Sequence, residues 1–340
     1  MEGTSPVPYP APSLDRNDVH VSERVNFRPG VDFAIVTADE ADDPISQSLA
    51  AGAFPESYWP LVELLEALTP KGGRVLDMGT HVGTFLLTAA ALGFEVLGIE
   101  ASPRNASLLQ ASIDRNTFTR ARLMHAAVSD GPGTLTFLQA GPYGHVVEAG
   151  SENAGRHGLV EVPAPAVDDL LDGLGWDHVD FIKMDIEGSE VTGLRGLSRR
   201  LTRSDAPPLI VESNGHTLAM FGQTTKRLRR ALEDFGYRLN LVEDGCLRAV
   251  KSNELQPETC VDPRMDRAEL SRRVLASSGS KSIHNRMHIA RELAGGGWAV
   301  PATYEVREAV RQLKADAEPS VREAAATLTA PPAWRTWLGL

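Results

Sequence analysis

VLDMGTHVGTF, residues 75–85, is the stretch on which the fold of this chain turns. An apolar run closes on an acid, Asp77, and breaks at Gly79; a second glycine, Gly83, opens the helix-like run TFLLTAAALG (84–93). A strand that ends in a glycine turn and enters a helix is how many α/β folds hold a nucleotide. The middle of this turn carries His81, where a dinucleotide fold needs a further glycine so that backbone can touch a pyrophosphate. A nicotinamide or flavin dinucleotide is therefore a poor fit. The lysine-bearing phosphate loop is absent, which makes nucleoside triphosphate hydrolysis poorer still.

Outward from the turn, short apolar strands alternate with helical runs. The strands read RVLDMG (74–79), EVLGIE (95–100), RLMHAAVS (122–129), VDFIKMD (179–185), PLIVES (208–213) and YRLNLV (237–242). The helical runs are 84–93, 103–116, 165–175, 190–201 and 224–236. Such alternation predicts a parallel sheet with right-handed crossovers. GTLTFLQA (133–140) reads as an extra, locally paired strand, and the glycine-rich stretch 141–158 as a lid or substrate loop. Before the sheet, residues 42–68 read as two helical stretches broken near Pro55 and Pro60. Residues 1–41 are expected to be a flexible segment, 42–250 the cofactor-binding domain, and 251–340 a helical appendage with an aromatic tail.

A cofactor without phosphates suits this turn. S-adenosylmethionine needs a glycine turn for its methionine part, a carboxylate for its ribose hydroxyls and apolar cover for its adenine. Gly79 and Gly83 let the chain pass close to a ligand, and Glu100 ends the next strand, where a ribose-binding acid belongs. A carboxylate there can accept from both vicinal hydroxyls. Asp77 can meet the ligand ammonium directly or through water, and Ala126 and Ala127 after His125 leave room for a purine. The plainer alternative is a glycine turn required by the backbone alone.

With these residues in place, the chain resembles the FkbM-type S-adenosylmethionine-dependent methyltransferases. The matching stretches are VLDMGTHVGTF, GIEASP (98–103), HAAVSD (125–130) and, most specifically, FIKMDIEGSE (181–190). The last carries a Lys-x-Asp-x-Glu-Gly-x-Glu signature at Lys183, Asp185, Glu187, Gly188 and Glu190. The likeness covers roughly 50–250. Thr80 stands where the family often has alanine, and His81 where asparagine is common. The resemblance implies a Rossmann-like class I methyltransferase fold, a doubly wound and mostly parallel seven-stranded sheet. It also implies a hydroxyl acceptor on a small molecule, a sugar or a secondary metabolite. The candidate cofactor-binding residues are Asp77, Gly79, Thr80, His81, Gly83, Glu100, Ala101, Ala127 and Asp185.

Ligands of open parallel sheets sit beyond the carboxyl ends of the strands. Lys183 and Asp185, two apart, share a face at such an end, and Asp185 is the first candidate for a general base or a metal ligand. Glu187 joins it as a catalytic candidate, although acids at 187 and 190 also suit a helix N-terminus electrostatically. VESNGH (211–216) ends the next strand and adds Glu212, Asn214 and His216. Asp185, Glu212 and Asn214 form an all-oxygen set that suits Mg2+ rather than zinc. The preferred reading is that Glu212 and Asn214 order their loop. His284 and His288 lack the glutamate of a zinc-protease motif and read as interhelical or surface residues.

A net charge of −11 disfavours a broad nucleic-acid or anionic-membrane footprint. LSRRLTR (197–203) and KRLRRALE (226–233) are basic, and both read as solvated helix faces. Two cysteines, Cys246 and Cys260, make neither a disulfide framework nor a zinc ribbon. No secretory signal or spanning segment is legible, so a cytoplasmic protein is expected. A homo-oligomer is compatible with the pattern. Two other functions stay open: a non-catalytic cofactor-binding or scaffolding module, and an NAD-dependent dehydrogenase, which lacks an obvious Tyr/Lys or His pair.

Overall fold

The computed structural model describes residues 9–14, 19–38, 43–140, 144–147, 158–241 and 246–251, together with 275, 278, 286, 304–317 and 319–326 of the C-terminal part. Two compact units divide the chain, Met1–Lys251 and Ser252–Leu340.

In the first unit β1 (Val19–Arg28) and β2 (Val31–Ala38) form an antiparallel hairpin. It turns at Gly30, whose φ of 81° is in the region glycine enters freely. The expectation of a flexible 1–41 is corrected here: Val25, Phe27, Phe33 and Ile35 are buried. Alternating apolar residues supply that face, and polar residues of the next layer finish the edge. Ser112 Oγ accepts from Val36 N–H at 2.9 Å, and Asn116 Oδ1 accepts from Ala34 N–H at 2.8 Å.

Helix α1 (Pro44–Ala50) follows, capped by Asp43, then a 3-10 turn (Glu56–Tyr58) and α2 (Trp59–Leu68). Pro60 sits in the first turn of α2, where its missing N–H costs nothing, so it starts the helix and does not break it. Phe27, Phe54 and Trp59 pack as an aromatic cluster, with centroids 4.3–6.0 Å apart.

The α/β alternation then runs β3 (Arg74–Met78), α3 (Thr84–Ala91), β4 (Glu95–Glu100), α4 (Pro103–Asn116) and β5 (Ala121–His125). A small antiparallel sheet interrupts it: β6 (Gly133–Leu138), β7 (His145–Val147) and β8 (Leu159–Ala164), in the order β7-β6-β8. The wound pattern resumes with α5 (Val167–Gly173), β9 (Phe181–Met184), α6 (Glu190–Gly196), α7 (Ser198–Leu201) and β10 (Leu209–Glu212). It ends with α8 (Gly215–Met220), α9 (Thr225–Asp234), β11 (Tyr237–Leu241) and β12 (Cys246–Lys251).

The main sheet has seven strands in the order β11-β12-β10-β9-β3-β4-β5. The pairs from β10 to β5 are parallel, while β12 inserts antiparallel between β10 and β11. This is the Rossmann-like class I methyltransferase fold expected from the sequence. Strand parity sorts the core into two layers. Val75, Val96 and Phe181 bury on the face shared with the hairpin, α2 and α3; Leu76, Leu97 and Ile182 bury on the face of α5 and α6. Each such side chain removed from water contributes about 1.5–3 kcal/mol. After β5 the chain returns to the other side of β3 as β9, so the strand order reverses between β3 and β9. Crevices at such switch points, beyond the carboxyl ends, hold the ligands of these folds.

In the second unit, helices Tyr304–Lys314 and Pro319–Ala324 are described, the first with Val306, Ala309, Val310 and Leu313 buried along one stripe. Most of 267–278 and 284–295 lies outside the described residues, as do His284, His288, Cys260, the tail 331–340 and most of the stretch 141–158. Among the described residues no helix is long and apolar enough to cross a membrane.

Candidate active site

Parallel pairing sets Asp77 of β3 directly against Lys183 of β9. The Lys183 ammonium, 3% exposed, lies 3.4 Å from Asp77 Oδ1 and 3.6 Å from Asp185 Oδ2. It also donates to the Gly79 carbonyl at 2.9 Å. Burial alone would pull an ammonium down. Asp77 and Asp185 outweigh it and hold Lys183 charged, above its ordinary value. Burial pushes the Asp77 carboxyl up to about 6 against the pull of Lys183. One buried cation thus ties together the ends of the two strands at the switch point.

The turn after β3 locks onto the loop after β9. Gly79 has φ 79°, and a Cβ there would lie 1.7 Å from the Asp185 carbonyl oxygen, so only glycine fits. Asp185 N–H donates to the Met78 carbonyl at 3.0 Å. His81 adopts φ 53°, a left-handed conformation unfavourable for most side chains. Its N–H donates to Glu100 Oε2 at 2.8 Å, and Ser102 N–H donates to Glu100 Oε1 at 2.8 Å. The Glu100 carboxylate is therefore fixed at both oxygens, each with a lone pair to spare; burial pushes its pKa upward, and the two amides oppose that. The His81 ring reaches the other way, with Nε2 3.2 Å from Asp43 Oδ2. Asp43 caps α1, accepting from Ile45 and Ser46 N–H. Burial works against its charge, yet His81 and Ser46 together hold it down at about 2.

A cavity of about 330 Å³ opens over these strand ends. Strand order arranges its wall: Asp185 and Glu187 after β9, Gly79 and His81 after β3, Glu100 and Ala101 at β4, Ala126, Ala127 and Val128 after β5. Three inter-strand steps span roughly 14–15 Å, from an acidic end to an apolar one with Glu100 between them. Phe137 and Val146 of the small sheet close the apolar end. His125 buttresses this region, its Nε2 3.2 Å from the Ala101 carbonyl oxygen.

Of the expected site residues, Gly79, His81, Glu100, Ala101, Ala127, Asp185 and Glu187 line this cavity, and four do not. Asp77 is fully buried under Lys183, so the reading of it as the partner of a ligand ammonium is corrected: it neutralises the lysine. Thr80 is buried. Gly83 opens α3, and its missing side chain admits Leu109, whose Cδ1 would lie 2.3 Å from a Cβ there. Glu212 stands at the end of β10 outside the wall. Burial, followed by the charges of Asp185, Glu187 and Glu190, pushes it up to about 9, so it is protonated at neutral pH and unsuited to be a base.

Glu190 serves the backbone, its Oε1 accepting from Ile186 and Gly188 N–H at 3.2 and 3.1 Å. Burial raises both Glu187 and Glu190 to about 7. Asn214 turns its side-chain oxygen to His216 N–H and caps α8. Among the described residues no group of three His, Cys, Asp or Glu is arranged to hold a metal ion. The residues present do not fit Mg2+.

These carboxyls set a pH dependence. A carboxyl whose pKa is raised by folding keeps a proton that the unfolded chain releases. Its stabilisation is full below about 4.5 and falls as pH climbs through its folded value. The melting temperature of the protein is expected to fall from pH 5 to pH 9, through the Glu187 and Glu190 values near 7 and the Glu212 value near 9. Glu212→Gln is expected to raise it by roughly 2–4 °C at pH 8.5 and to flatten the curve. An unchanged profile by circular dichroism would remove Glu212 from the cluster.

Three contributors were not legible in the sequence. Lys183 could be placed on one face with Asp185, but its role depends on the strand beside it. Asp43 and Tyr58 come from the segment before β3, and both line the acidic end. Burial keeps the Tyr58 phenol protonated well above its ordinary range; Asp185 and Asp77 add to this while Lys183 opposes it. Nothing in the local pattern ESYWP marks a site residue.

Residues 77–239 match the Methyltransferase FkbM domain. Protein-L-isoaspartate O-methyltransferase 2 of Marinobacter nauticus is 39% identical over 90 residues, 26% of this chain and 39% of that protein. The chain thus spans about two fifths of the length of the curated relative it matches. Among solved structures it is similar to precorrin-6y C5,15-methyltransferase from Geobacter metallireducens (15% identity, TM-score 0.35, covering 57% of this chain and 86% of the other). It is also similar to an O-methyltransferase from Bacillus cereus in complex with S-adenosylhomocysteine (14%, TM-score 0.34, 61% and 88%). A third is the T. thermophilus 16S rRNA N2 G1207 methyltransferase (17%, TM-score 0.38, 71% and 52%).

Proposed function

We propose, from the match of residues 77–239 to the methyltransferase FkbM domain, that this protein uses S-adenosylmethionine to methylate a hydroxyl oxygen of a small molecule, a sugar or a secondary metabolite. The observation that carries the reading is Glu100: a carboxylate with both oxygens fixed by backbone N–H groups, between an acidic and an apolar end of one cavity. Glu100 would hold the two ribose hydroxyls. Ala126, Ala127, Val128 and Phe137 would cover the adenine, and the Gly79–His81 turn would take the methionine part.

When bound, S-adenosylmethionine supplies a methyl group on a cationic sulfur, open to displacement by an aligned nucleophile. Asp185, 35% exposed at the acidic end, is the group to accept the hydroxyl proton, and the neutral Tyr58 phenol can orient the same hydroxyl. Most of the rate comes from holding the acceptor oxygen in line. Asp43, Asp185 and Glu187 on one wall repel a carboxylate acceptor, which favours a hydroxyl.

Calorimetry with S-adenosylhomocysteine tests the cofactor, and transfer of labelled methyl groups into a panel of sugars and hydroxylated metabolites tests the acceptor. Asp185→Asn is expected to keep the affinity and lose roughly ten- to hundredfold in turnover. No binding of S-adenosylhomocysteine sinks the reading, and binding without any transfer by the wild type returns it to a scaffolding module.

A further inference from the structure

The segment before the FkbM domain reaches into the cavity at one charged point, the contact between Asp43 and His81. We propose that Asp43 is a positioning residue of the cofactor site: through the His81 ring it holds the 79–83 turn in the conformation that serves Glu100, and so makes α1 part of that site. The proposal rests on the S-adenosylmethionine reading above.

The geometry makes a chain of three contacts. Asp43 uses Oδ1 on the N–H groups of Ile45 and Ser46, which starts α1. Its other oxygen, Oδ2, lies 3.2 Å from His81 Nε2. His81 in turn gives its backbone N–H to Glu100 Oε2 at 2.8 Å. His81 stands at φ 53°, a strained conformation for a non-glycine residue that persists only when its surroundings over-determine it. Here two neighbours act on the one residue, Glu100 through a hydrogen bond to its backbone and Asp43 through the carboxylate oxygen set against its ring. Asp43 is 1% exposed at its side chain and the His81 ring 17%, so the contact is largely shielded from water. Asp43, Pro44 and Ile45 also line the cavity directly.

Linkage makes the coupling reciprocal: if Asp43 favours the binding-competent turn, a bound cofactor must strengthen the docking of α1 by the same factor. Asp43→Asn is the informative substitution, because asparagine caps helices as well as aspartate does and removes only the charge facing His81. His81→Asn is its partner, since asparagine tolerates the left-handed conformation.

Calorimetry with S-adenosylhomocysteine is run on the wild type, both single variants and the double variant, each checked for folding by circular dichroism. Hydrogen exchange at Ile45 and Ser46 is read with and without that ligand. Asp43→Asn is expected to weaken binding roughly 5- to 20-fold in the wild-type background and by less than about twofold when His81 is already Asn. The ligand should slow exchange at the two amides in the wild type and not in His81→Asn. Equal losses from Asp43→Asn in both backgrounds, or no loss in either, overturn the proposal while leaving the cofactor reading intact. A wild type that does not bind S-adenosylhomocysteine overturns the cofactor reading and this proposal with it.

Discussion

Lys183→Met is expected to lower the unfolding free energy by about 3–5 kcal/mol, with the greater loss at alkaline pH. Methionine nearly matches the lysine in volume, so the cost is electrostatic. Asp77 is 0% exposed, neither of its oxygens has a hydrogen-bond partner, and Lys183 is the cation beside it. With that cation gone, Asp77 must either stay ionised in an apolar interior or take up a proton. Its pKa, already up to about 6, moves higher. At pH 5.5 the carboxyl is largely protonated and the variant loses less; at pH 8 protonation comes at a free-energy cost that grows with pH. Urea unfolding at the two pH values measures this. Asp77→Asn in the same chain should recover a large part of the loss, since the pair is in direct contact. A loss independent of pH, or no recovery, would mean that Lys183 acts by packing and not by charge.

Glu100→Ala is expected to weaken S-adenosylhomocysteine binding by roughly 10²–10³-fold, the equivalent of two charge-assisted hydrogen bonds. The substitution removes the acceptor for both ribose hydroxyls. It also strands the N–H groups of His81 and Ser102, which have no other acceptor among the described residues. Glu100→Gln is no remedy: its amide nitrogen would face one of those N–H groups, donor against donor. Calorimetry on both variants reads the effect, and a change of less than about threefold would detach Glu100 from the cofactor.

Much of the architecture was legible because it is local. Alternation of Val75 with Leu76 and of Phe181 with Ile182 is a period of two that marks strands covered on both faces. The glycine at 79 announces a turn that no side chain could enter. Glu100 and Asp185 end strands, and strand ends of such sheets meet ligands. The hairpin 19–38 escaped because its apolar positions are spaced among polar ones and flanked by turn-forming residues, a pattern that a loop shares. β12 escaped because nothing in CLRAVK tells that it inserts antiparallel between β10 and β11. The magnesium set failed for a similar reason: Asn214 and Glu212 are adjacent in sequence to the right strand end, but one caps a helix and the other stands outside the cavity wall.

The sequence by itself determined the alternation of the parallel strands with their helices, the glycine turn, and which acids stand at carboxyl ends. Those features follow from backbone conformation and periodicity within a dozen residues. The tertiary structure alone decided that Asp77 faces inward to a lysine, that burial and neighbouring acids push the Glu212 carboxyl upward, and that Asp43 and Tyr58 line the cavity. An ionisable group takes its charge state from everything within a few ångströms, and in this fold those neighbours arrive from strands and loops far apart in the chain.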